Sequence, residues 1–116
     1  MTPFEIYAED IVWDLSHMAR ADLFLQPVVQ GHAGVREGWR DVLSAFASVD
    51  FAVEELTDAG DKVFAAIRET DVGRASGAAV STPHFAVWTL AGGKVTRLQV
   101  FDERAPAEEA AGLRAS

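Results

Sequence analysis

The sequence predicts an α+β domain built on an antiparallel sheet, and three observations carry that prediction. Four strand-like stretches follow one another between positions 50 and 104, separated by short connections rich in glycine. Short connections between neighbouring strands are hairpins. Ahead of them, apolar residues recur at Val35, Trp39, Val42, Leu43 and Phe46, the i, i+4, i+7, i+8, i+11 spacing of one helix face. The strands do not alternate cleanly, so the sheet is covered on both faces rather than wet on one. At 116 residues, 49% of them apolar, the chain fits one domain over 1–116 and should bury roughly 65% of its unfolded surface.

In chain order, "FEIYAED" (4–10) reads as a helical turn or helix end, and "IVWDL" (11–15), with its β-branched and aromatic residues, as a strand. "SHMARADLFLQP" (16–27) is mixed and breaks at Pro27, so it reads as a long connection with a helical turn. "QGHAGVREGW" leads into the helix, and its glycines permit tight backbone at the entry. His32 falls near the helix N-terminus as a surface or capping side chain. The stretch is not a phosphate loop, which needs a lysine and more glycines at fixed spacing. The strands are "DFAVEELT" (50–57), "KVFAAIRETDVG" (62–73), "AAVSTPHFAVWTL" (78–90) and "KVTRLQVFDER" (94–104). "APAEEAAGL" (105–113) closes the chain as a short helix, with Pro106 in its first turn and Gly112 at its end. In "HFAVWTL" and "KVTRLQVF" both parities are apolar. If the two helices share one face, a second subunit must cover the other, which predicts a homodimer.

Eighteen acids against ten bases give a net charge of −8. That disfavours nucleic acid and anionic membrane as partners, since both need basic surface. No cysteine is present, which rules out disulfides and thiolate metal sites. The start carries no secretory signal pattern, and no apolar run approaches the ~20 residues that span a bilayer. The expected location is the cytoplasm. Three scattered histidines give no metal-ligand spacing, so no metal is expected.

The stretches "YAEDIVWD" (7–14), "VQGHAGVREGWRDVL" (29–43), "ELTDAGDKVFA" (55–65), "VWTLAGGKVTRLQVFDER" (87–104) and "AEEAAGL" (107–113) together resemble the nuclear transport factor 2-like superfamily, and within it a SnoaL-like polyketide cyclase-type domain. The resemblance covers nearly the whole chain. It implies a cone, a bent antiparallel sheet wrapped around helices with an apolar pocket between them. It also implies a reaction class open among isomerase, cyclase and epoxide hydrolase, without a cofactor, on an apolar carbonyl- or epoxide-bearing metabolite. The same fold can instead bind a small ligand or dimerise without turnover. The family's long N-terminal helix is not matched, because the resemblance is reached by Tyr7. A partner subunit filling the gap, together with inward collapse of residues 16–30, which carry Met18, Leu23, Phe24, Leu25, Val28 and Val29, is the expected compensation.

In the family's enzymes a pocket carboxylate late in the last strand does acid–base work, and Asp102 in "VFDER" matches it. Leu98 and Val100 share its side of the strand and would supply apolar surroundings that disfavour its charge. The alternative is a strand-end carboxylate paired with Arg104 or Arg97 in solvent. The family's histidine or basic partner is not cleanly matched. His84 fills that role in one of two registers. A three-residue "AGG" loop puts His84, Trp88, Val100 and Asp102 on one face. A two-residue Gly92–Gly93 loop shifts the parity and sends His84 opposite Phe101. Trp13, Trp39 and Trp88 are candidate pocket walls, or ordinary core. Arg68 and Glu69 alternate faces, so one of them points inward and must be paired or functional; Arg68 with Glu55 is the structural pairing. His17 is a candidate for the pocket rim.

Overall fold

In a computed structural model, residues 3–18 and 27–114 are described, apart from the side chains of Pro3, Phe4, Val42 and Ala45. The elements are α1 (Pro3–Ile6), β1 (Tyr7–His17), β2 (Val28–Gln30), α2 (Gly31–Ala45), β3 (Phe46–Asp58), β4 (Lys62–Gly73), β5 (Ala79–Ala91), β6 (Lys94–Phe101) and α3 (Arg104–Ala111). The strands form one curved six-stranded sheet in the order β2-β1-β6-β5-β4-β3. β1 joins β6 in parallel and the remaining pairings are antiparallel. The predicted α+β class, helix and hairpins are therefore present.

Four boundaries differ from the sequence reading. Tyr7–Asp10 is strand rather than helix end, because Tyr7 pairs with Val95 in β6. "VVQ" forms an unpredicted strand against Val12–Asp14. β3 begins at Phe46, not Asp50; its partner β4 runs on to Gly73, and Phe46 pairs there. Phe46 thus ends the helix instead of extending its apolar face. The helix itself starts at Gly31, whose φ of +80° is left-handed backbone that glycine adopts without a Cβ clash. The predicted helical turn in 16–27 and the inward packing of Leu23, Phe24 and Leu25 lie outside the described residues.

The sheet has a core on each face. Ile11, Trp13, Leu15, Val35, Ala86, Val95 and Leu98 pack together on the α2 face. Phe64, Val87 and Phe101 pack with Ala107 and Ala111 of α3 on the other. Burying each large side chain is worth about 1.5–3 kcal/mol. The expectation that both helices share one face is corrected: α2 and α3 cover opposite faces, and this accounts for the double-sided apolar pattern of β5 and β6. The small side chains of Ala107 and Ala111 let the short α3 sit close to the sheet. Its left-handed cap at Gly112, φ 78°, donates to the carbonyls of Glu108 and Glu109.

Candidate functional site

The last hairpin decides the site. Ala91 pairs with Lys94, so the loop is Gly92–Gly93, the register that separates His84 from Asp102. One step later the ladder shifts: Leu90 pairs with Val95, but Thr89 pairs with Arg97, leaving Thr96 as an extra residue. This bulge reverses the parity a second time. Trp88 then faces Leu98 and Ala86 faces Val100, and by the same count His84 comes opposite Asp102. The His84 Nδ1 to Asp102 Oδ1 distance is 3.6 Å.

His84 is 7% exposed. Its Nε2 lies 3.6 Å from Glu69 Oε1, and Nδ1 is buried with no hydrogen-bond partner within reach. Both separations exceed good hydrogen-bond length, so these are ion-pair contacts. Glu69 and Asp71, two residues apart on β4, point to the same face. Thr82 of β5 pairs with Glu69. Met18, Glu69, Asp71, Thr82, Pro83, His84 and Asp102 line a cavity of about 360 Å³, within the range of small-molecule sites.

The carboxyls set one another's titration. The close approach of Glu69 raises the His84 pKa, burial opposes it, and the charges of Glu69, Asp102 and Asp71 add to the rise. Asp71 is pushed up to about 7 by burial and by its hydrogen bond and charge repulsion with Glu69. Burial also pushes Glu69 upward, but the close contacts with His84 and Asp71 and the charge of His84 outweigh it, and Glu69 titrates below its ordinary range. The raised pKa of His84 favours its charged form beside Glu69, and Asp71, at about 7, is about half protonated near neutral pH.

The alternative partners weighed for Asp102 are engaged elsewhere. Arg97 Nη2 donates to Asp14 Oδ2 at 3.1 Å, and Arg104 makes a two-pronged pair with Glu55 at 2.6 and 2.8 Å. Arg68 pairs with Glu54, not Glu55, so Glu69 is the inward member of that alternating pair. Trp13 and Leu98 are buried in the α2-face core, and Trp88 and Val100 pack against it. Trp39 stacks on Trp13 at 5.5 Å and lines a different groove. None of these five lines the His84 cavity. His17 stacks on Phe101 at 4.6 Å and lies 3.4 Å from Asp14, rather than at the cavity rim. His32 Nε2 donates to the Tyr7 carbonyl at 3.1 Å.

Sequence reasoning missed Asp71 as a site residue and left Glu69 undecided. The i, i+2 spacing in "ETD" was the available signal. It also missed Asp14, which is buried and accepts from both the backbone N–H and the hydroxyl of Ser16. Among the described residues no three histidine or acidic side chains are placed to hold a metal ion, and no helix is long and apolar enough to cross a membrane.

A family model described as a SnoaL-like domain matches residues 4–98. A search of curated proteins finds no match. Among solved structures, TerC co-crystallised with polyporic acid superposes with a TM-score of 0.76 at 20% identity, covering 94% of this chain and 82% of that one. A nuclear transport factor 2-like protein of unknown function from Burkholderia pseudomallei K96243 gives 0.75 at 16% identity, covering 97% and 82%. A Catenulispora acidiphila DSM 44928 protein with a ketosteroid isomerase-like fold, in complex with trimethylamine, gives 0.72 at 14% identity, covering 96% and 80%. At these identities the likeness is one of fold.

Proposed function

The chain belongs to the SnoaL-like domain family, and from that premise we propose that its cavity performs general acid–base chemistry on an apolar carbonyl- or epoxide-bearing small molecule without a cofactor. The observation that carries this reading is His84 held between two carboxylates, Asp102 at Nδ1 and Glu69 at Nε2. Asp102 is the base, because its side chain is 29% exposed at the cavity while His84 is buried behind it. In an enolisation, Asp102 takes the proton α to the carbonyl. The C–H electron pair forms the C=C bond and the C=O π pair moves onto the oxygen, which takes a proton or hydrogen bond from the Glu69–Asp71 pair. His84 acts through these carboxyls as a positioning residue. Epoxide opening uses the same groups, with Asp102 activating water. Such steps need only a placed base and donors.

An apolar substrate is supported by the surroundings. Met18 and Pro83 line the cavity. Phe51 pairs with Glu69 and Val80 with Asp71, and both apolar side chains are about half exposed beside it. The second reading, a binding pocket without turnover, is favoured by the exposure of Asp102, since an open site excludes less water. Deuterium incorporation into 2-decalone and hydration of styrene oxide test the choice. Acceleration above buffer by the wild type, lost in Asp102→Asn with the fold intact, supports catalysis. Rates equal to buffer for both compounds favour binding alone. Full activity in Asp102→Asn moves the base elsewhere.

We also propose a homodimer through the sheet. With α3 covering one face, its support is β3, an edge strand whose Val53 and Leu56 are 60% and 68% exposed. A stable interface buries on the order of 1,600 Å². Light scattering at micromolar concentration should give twice the chain mass, and a monomer mass rejects the dimer.

A further inference from the structure

A second cavity lies away from the His84 site. Arg36, Trp39, Arg40, Leu43 and Ser44 of α2 and Arg74, just beyond β4, line an open groove of about 600 Å³. All three charges along it are positive, in a chain with eighteen acids and ten bases. The arginines elsewhere among the described residues are spent on carboxylates: Arg68 on Glu54, Arg97 on Asp14, Arg104 on Glu55 and Arg114 on Glu108. Arg74 is instead pinned by donating Nε to the Ser44 carbonyl at 3.0 Å and Nη2 to the Leu43 carbonyl at 3.1 Å. These bonds satisfy the end of α2 and fix the guanidinium plane at the groove edge with Nη1 outside both bonds. Among the described residues Arg40 makes no ion pair.

The floor is apolar and rigid. Trp39 is held by its stack on Trp13 and by an edge contact with Phe51 at 5.8 Å. Leu43 is 48% exposed. An aromatic wall beside convergent guanidiniums matches a flat apolar body that ends in an anionic group, because guanidinium binds carboxylate through paired hydrogen bonds. The His84 cavity, with Glu69, Asp71 and Asp102, repels such a ligand. We propose that this groove is a binding site for an amphipathic organic anion, an aromatic carboxylate lying on Trp39 and Leu43 with its charge on Arg40 and Arg74. It is independent of the acid–base reading and stands if that reading fails.

The probes are 2-naphthoate and its uncharged counterpart 2-naphthalenemethanol, followed by backbone amide NMR shifts of the full chain. Naphthoate should shift amides of 36–44 and 73–75 and bind about tenfold more tightly than the alcohol, weakening as salt is raised. Arg40→Gln should cost about tenfold for naphthoate and leave the alcohol unchanged. Arg74 is left intact because it also caps α2. The proposal is overturned if naphthoate shows no binding at millimolar concentration, if the alcohol binds equally well, if Arg40→Gln binds naphthoate as wild type does, or if the shifts centre on His84.

Discussion

Replacing Gly38 by alanine sets helix propensity against packing, and the structure decides the sign. Gly38 lies mid-helix in α2, where alanine should gain about 1 kcal/mol. A Cβ built there falls 2.4 Å from Trp13 Cζ3, 3.0 Å from Cε3 and 3.5 Å from Cη2. Ordinary carbon contacts begin near 3.5 Å, so helix and ring must separate by about 1 Å. The ring has little room to yield. Trp13 is buried, stacked on Trp39, and carried by a strand that pairs with both β2 and β6. Overpacking costs about 1–3 kcal/mol, and loosening the Trp13–Trp39 stack adds about 0.5–1.5 kcal/mol. The net expectation is a loss of about 2 kcal/mol, or roughly 8 °C in Tm for a domain of this size. Urea and thermal unfolding, read by tryptophan fluorescence and far-ultraviolet circular dichroism, measure it. Gly34→Ala is the control, since its Cβ meets only Val29 Cβ at 3.3 Å. A Gly38→Ala protein as stable as the wild type, or more so, would refute the close α2–β1 approach.

The site carboxyls predict a pH signature. Asp71 titrates at about 7 in the fold against about 3.9 unfolded, so the native state holds the extra proton between those values and stability falls as pH rises through them. His84, also raised, contributes stability that is full below its unfolded value of about 6.5 and is lost as pH climbs through its folded pKa. Asp71→Asn should therefore gain on the wild type as pH rises from about 4 to 7 and flatten the slope there; denaturant midpoints from pH 4 to 9 showing an unchanged slope would rule out the raised Asp71. Asp14 behaves oppositely. Burial pushes its pKa up, but the Ser16 hydrogen bonds and the charges of His17 and Arg97 win and hold it below the ordinary range, so its contribution is lost as pH falls through its folded pKa. Asp14→Asn should cost about 1–3 kcal/mol at neutral pH and progressively less in acid, and a pH-independent difference between the two proteins would contradict that assignment. Gly31→Ala forces a side chain into left-handed backbone at φ +80° and should cost about 1–2 kcal/mol by thermal unfolding; an unchanged Tm would mean that the α2 entry relaxes.

The sequence by itself determined the α+β class, the helix from the Val35–Trp39–Leu43 spacing, the glycine-turned strands and Asp102 as the candidate base. The first three are local signals, periodicity and turn chemistry read along one stretch of chain; Asp102 is what the family resemblance implied. It also marked both faces of β5 and β6 as apolar, but not what covers them; that α2 and α3 lie on opposite faces depends on contacts made far along the chain. The pairing of His84 with Asp102 belongs to the tertiary structure alone. The glycine turn gave the register that separates them, and one extra residue at Thr96 brought them back onto one face. A bulge is stabilised by the neighbouring ladder and by what packs across it, not by the residue that bulges. The linked titration of Glu69, Asp71 and His84 belongs there for the same reason. Their alternation was visible in "ETD", but their charges interact only after β4 has folded against β5 and burial has removed the water that would screen them.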